Sequence, residues 1–140
     1  MELGDPGIPH AVLRLSDWDE WDPDRLRALA RELRFASAFS KGANVSFVNV
    51  IGPDELKAVT FERGVEDFTL ACGTGCGSIT AALTRLGLVS GHEVKVHMPG
   101  GTLIVSLTND AGRIRDILLT GPTRLVFEGE VPAELLEELK

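Results

Sequence analysis

The residues able to do chemistry gather in one stretch, 61–86, FERGVEDFTLACGTGCGSITAALTRL, which holds both cysteines of the chain. Val65, Phe68 and Leu70 suit a buried strand end, Gly73 and Gly75 break it, and Ile79, Ala82, Leu83 and Leu86 recur at helical spacing. This pattern predicts a thiol, Cys72, at a helix entrance. The first turn of a helix leaves backbone N–H groups unpaired and carries about half a unit of positive charge. A cysteine placed there is expected to fall below its free pKa of about 8.5 and to serve as a base or nucleophile. Gly73 and Gly75 let a ligand approach the backbone, and the strand before them delivers Glu62 and Arg63 toward the same turn.

Other candidates weigh less on their own. His10, after Gly7, Ile8 and Pro9, stands at the mouth of a strand, where an ordinary hydrogen-bonded histidine is commoner than a catalyst. Cys76 shares a helix face with Cys72 and reads first as a small buried apolar residue. Oxidation offers it another fate, a disulfide to Cys72 that would block catalysis. A zinc site from Cys72 and Cys76 with His10, His92 or His97 lacks the paired spacing of such sites, so no metal is expected. The run 73–78 lacks the lysine of a phosphate-binding loop, which argues against a nucleotide.

The elements that must position these groups follow from punctuation and period. Asp22 and Pro23 start a helix with Leu26, Leu29, Ala30 and Leu33 as its apolar stripe. Arg25, Arg27, Arg31 and Arg34, interleaved with acidic residues, read as a solvated face. Strands are predicted at 11–15, 44–50 and 57–62, the last two as an antiparallel pair around Gly52, Pro53 and Asp54. Gly87 caps the second helix. Residues 93–98, 102–108, 114–120 and 124–131 then read as an antiparallel meander joined by turn-rich connectors, and 132–140 as a closing helix. The fold class is α+β, a mostly antiparallel sheet curled around a central apolar helix in one domain, 1–140.

With 140 residues, 44% of them apolar, the chain can bury a core without staples. A net charge of −7 disfavours nucleic acid and anionic membranes as partners. Two cysteines, no signal peptide and no long apolar run point to a reducing cytoplasm. The first residues enter a strand almost at once, as if at the start of a half.

Glu62-Arg63-Gly64-Val65, followed by Thr69-Leu70-Ala71-Cys72-Gly73-Thr74-Gly75, resembles the second catalytic cysteine motif of diaminopimelate epimerases. Pro9-His10-Ala11-Val12 is similar to that family's proline-histidine strand and Asn44-Val45-Ser46-Phe47-Val48 to its substrate-asparagine strand. Gly121-Pro122 with Val126-Phe127-Glu128-Gly129 is similar to its closing strand, so the likeness covers nearly the whole chain.

The resemblance implies a cofactor-independent epimerase of two similar lobes, each supplying one thiol to opposite faces of an amino acid's α-carbon. This chain resembles the C-terminal lobe alone, the N-terminal lobe being absent. Cys72 would be the thiol acid or base, His10 and Glu62 would tune the thiols, and Asn44, Glu62, Arg63, Gly73 and Thr74 would bind substrate. The implied reaction interconverts LL- and meso-diaminopimelate in lysine biosynthesis, with the lone lobe inactive or weakly active and an N-terminal lobe or a second copy as partner. The alternatives are a racemase of another amino acid and a non-catalytic interaction module. Two positions depart from the family pattern: Ile8 stands where asparagine is frequent, and Phe68 where glutamate is usual.

Overall fold

The computed structural model describes residues 7–17 and 22–134. Its elements run β1 (His10–Arg14), α1 (Pro23–Arg34), β2 (Asn44–Gly52), β3 (Glu55–Phe61), α2 (Gly73–Arg85), β4 (Val94–Met98), β5 (Gly101–Asp110) and β6 (Arg113–Thr120). The six strands form one sheet in chain order. Three neighbouring pairs are antiparallel, but β1–β2 and β3–β4 are parallel. The sheet is thus mixed, because α1 and α2 each serve as the crossover that a parallel pair requires.

Helix α2 is the rod around which the sheet curls. Nine of its residues, from Gly75 to Thr84, are buried on all sides rather than along one stripe, as befits a helix inside a core. Ile79 and Leu83 pack with Val48, Leu56, Val94, Val96 and Val105 from four strands. Beyond its end, Gly87 takes φ +69 and donates to the Thr84 carbonyl, and Leu88 donates to that of Leu83. These bonds satisfy terminal carbonyls and stop the helix at the expected glycine.

Helix α1 covers the opposite face of the sheet. Asp22 caps it by accepting from the Asp24 N–H at 3.0 Å, with Pro23 at the first helical position. Leu26 and Ala30 pack with Val45, Phe47 and Phe61 in a second cluster. Covering on both faces explains why Asn44 to Val48 are buried without alternation.

Two expectations are corrected. Val65 and Leu70 are 59% and 71% exposed, and residues 62–71 form a loop that pairs with a strand only at an isolated Phe61–Phe68 bridge. Only Phe68 of the three is packed there, edge-on to Phe47 and Phe61. Residues 124–131 are not a strand. They pair with no edge among the described residues, and Leu125, Val126 and Phe127 lie exposed, since apolar alternation makes a strand only beside a neighbour. The helix expected at 132–140 falls mostly outside the described residues, of which 133–134 are helical.

Candidate active site

Cys72 is the N-cap residue of α2, in extended conformation with φ −137 and ψ 104. It is only 5% exposed. The residue nevertheless lines a cleft of about 590 Å³, together with Glu62, Ala71, Gly73, Thr74, Gly77 and Ser78. Ile117 and Leu119 of β6 complete the wall.

The sheet brings distant residues to this thiol. Parallel pairing of β1 with β2 sets His10 beside Asn44. The Asn44 side chain accepts from the Arg63 backbone N–H at 2.8 Å and turns its amide nitrogen to the Cys72 Sγ at 4.0 Å. Thr74 Oγ1 lies 3.5 Å from the same sulfur and 3.1 Å from His10 Nε2. Glu62 accepts a short hydrogen bond from the Thr69 hydroxyl. His10, Asn44, Glu62, Cys72, Gly73 and Thr74 therefore converge on one place. Arg63 joins through its backbone, whereas its guanidinium donates to the Lys41 carbonyl at 3.0 Å.

Electrostatics reverse one expectation. Burial pushes the Cys72 thiol above its ordinary value, and the neighbouring Glu62 carboxylate adds to the rise. The Thr74 hydroxyl and the Gly75 N–H pull the other way without winning. A helix terminus acidifies a thiol only where the terminus outweighs desolvation. Burial also depresses His10, partly offset by Glu62. Cys76, fully buried in the α2 core, is pushed up to about 12 by burial and by Cys72. Both cysteines are free thiols.

Two glycines shape the site differently. A Cβ on Gly75 would stand 2.8 Å from Thr60 Oγ1 and 3.2 Å from the Cys72 sulfur, so the thiol's seat depends on that side chain being absent. A Cβ on Gly73 would meet only the end of Leu119, at 2.8 Å.

Sequence reasoning missed the cleft wall formed by Ile117 and Leu119. The available signal was apolar residues at the end of a strand that the structure leaves at the sheet edge. It also missed Thr69, the partner of Glu62, for which periodicity offers no signal. Among the described residues no group of three or more histidine, cysteine or acidic side chains could hold a metal, and no helix is long and apolar enough to cross a membrane.

The mixed sheet curled about a buried helix is a fold shared with a solved structure, a Bacillus anthracis phenazine biosynthesis protein of the PhzF family. The TM-score is 0.56 at 18% identity, over 79% of this chain and 34% of that one. Residues 4–126 match the family model described as diaminopimelate epimerase. Proteins named diaminopimelate epimerase include relatives in Methanothrix thermoacetophila, 38% identical over 96% of this chain, and Aquifex aeolicus, 37% identical over 94%. Another, in Archaeoglobus fulgidus, is 40% identical over 88%. The chain belongs to the diaminopimelate epimerase family. It spans 44%, 46% and 40% of the length of these three relatives.

Proposed function

We propose that this chain forms the C-terminal, thiol-bearing lobe of a cofactor-independent diaminopimelate epimerase, acting in lysine biosynthesis in the cytoplasm. The observation that carries this reading is Cys72 at the N-cap of a buried helix, lining a cleft and with its sulfur beside Asn44 and Thr74. Cys72 and a second thiol, from an N-terminal lobe, flank the substrate's α-carbon. One thiolate takes the α-proton as the Cα–H bond breaks, and the opposite thiol gives its proton to the other face, inverting the centre. The first N–H groups of α2, at Gly73 and Thr74, bind the substrate carboxylate, onto which the carbanion's charge spreads. Asn44 and Glu62 meet the amino-acid end, while His10, through Thr74, and Glu62 tune the thiol.

One cleft thiol cannot be acid and base on opposite faces at once, so turnover requires the second lobe. The exposed apolar residues Ile117, Leu118 and Leu119 of the edge strand, and Leu125, Val126 and Phe127 after it in the chain, support a partner. The test is exchange of the α-proton of diaminopimelate in deuterated water, with and without a supplied N-terminal lobe, comparing wild type with Cys72→Ala. Exchange that needs the added lobe and vanishes in Cys72→Ala is expected. Exchange unaffected by the substitution refutes the role of Cys72.

A further inference from the structure

The loop 62–68 carries two groups of the site, and it is held from outside the cleft by α1. Arg34, only 9% exposed, directs both Nε and Nη2 to one Glu66 oxygen, at 3.1 and 3.0 Å. That oxygen also accepts the Gly64 N–H at 2.9 Å, and the Glu66 N–H donates to the Glu62 carbonyl at 2.8 Å. Two turns earlier on α1, Arg27 Nε donates to Asp67 at 2.9 Å and its guanidinium lies over the Phe68 ring. Asp67 closes the ring, accepting the Glu62 N–H on its backbone carbonyl at 3.1 Å. Two of these bonds end on the Glu62 backbone and one on Gly64, beside Arg63; the two arginines hold the residues that make them.

Arg34 also reaches the other side of the site. Its own carbonyl accepts the Ala43 N–H at 3.2 Å, one residue before Asn44. Its side chain passes so close to Gly42, at φ +72, that a Cβ there would lie 1.8 Å from Nη1. One residue thus holds both strand ends whose contact, Asn44 to the Arg63 N–H, frames the thiol.

We propose that Arg34, seconded by Arg27, is a positioning residue that sets Glu62 and the Arg63 N–H against Cys72 and Asn44 by clamping loop 62–68 to α1. The consequence for turnover rests on the epimerase reading; the consequence for the thiol does not. Two variants open the clamp. Arg34→Met keeps the apolar stem and removes the fork. Glu66→Gly removes the carboxylate at a position whose φ of +60 suits glycine, so the fold is preserved.

Two readouts separate the claims. In the chain alone, the pH midpoint of Cys72 alkylation by iodoacetamide, mapped by mass spectrometry, falls in both variants as Glu62 drifts away, and does not fall further when either is added to Glu62→Gln. With a supplied N-terminal lobe, kcat/KM for α-proton exchange drops about ten- to a hundredfold, the scale of a misplacement on the order of 1 Å. Folded Glu66→Gly with a wild-type alkylation midpoint overturns the proposal, whether or not Arg34→Met folds. Absence of exchange in the wild type counts against the epimerase reading, and the alkylation arm still decides the clamp.

Discussion

Asn44 is the residue on which the site's geometry can be tested most directly. It is 1% exposed and holds the Arg63 N–H at 2.8 Å on one side and faces Cys72 on the other. Asn44→Ala leaves that part-buried N–H without its acceptor, at a cost of about 1–3 kcal/mol. For a domain of this size the melting temperature should fall on the order of 3–10 °C. Asn44→Asp keeps an acceptor for Arg63 but sets a negative charge beside the sulfur, so the thiol, already raised by burial and Glu62, must rise further. Urea unfolding of both variants, with Cys72 alkylation followed against pH, separates the two contacts. Loss of under about 0.5 kcal/mol in Asn44→Ala would refute a structural bond to Arg63. An unmoved alkylation midpoint in Asn44→Asp would refute the placement of this side chain against the thiol.

Further outcomes follow from the same contacts. Gly75→Ala should destabilise by about 1–2 kcal/mol in urea unfolding, since overpacking against Thr60 and Cys72 exceeds the helix-propensity gain, while Gly73→Ala, meeting only the movable tip of Leu119, should be near neutral. His10 is depressed below 6.5 by burial, so the unfolded chain binds its proton first. Stability should therefore fall as pH drops through about 6.5 and level off below the folded value, and His10→Gln should flatten that part of the urea midpoint profile. Cys76, at about 12 when folded against 9.0 ordinarily, stays protonated while the unfolded thiol ionises. Stability should decline between those two values, and Cys76→Ala should remove part of that slope, the remainder belonging to Cys72.

What the sequence made legible was whatever local chemistry specifies. The start of α1 follows from Asp22 and Pro23, the end of α2 from Gly87, and the Cys72 turn from glycines between two periodicities. Strand direction was not legible, because periodicity is blind to whether a neighbour runs parallel, and β1–β2 and β3–β4 do. Residues 124–131 alternate as a strand would, yet lack a paired edge among the described residues. The arginines of α1 misled for a related reason. Their alternation with acids suggests solvation, whereas Arg34 is drawn inward by a carboxylate 32 positions away that no helical period reveals.

The thiol's acidity belongs to the same class of tertiary effects, and it bears on how half a site could work. Placed at the head of α2, Cys72 has the donors that would favour a thiolate, but burial and Glu62 keep the proton on sulfur. On the proposed two-thiol reading, this would suit the partner that gives up a proton, and the first removal would fall to the thiol of a second lobe. Running the reaction backward requires Cys72 to become the base. A substrate ammonium drawn to Glu62 would cancel the charge that opposes ionisation, and a second lobe would bring its own dipoles to the same cleft. On the proposed reading, the resting thiol is held protonated chiefly by burial and in smaller part by the carboxylate that a bound amino acid would neutralise, so that occupancy of the site would ease its ionisation.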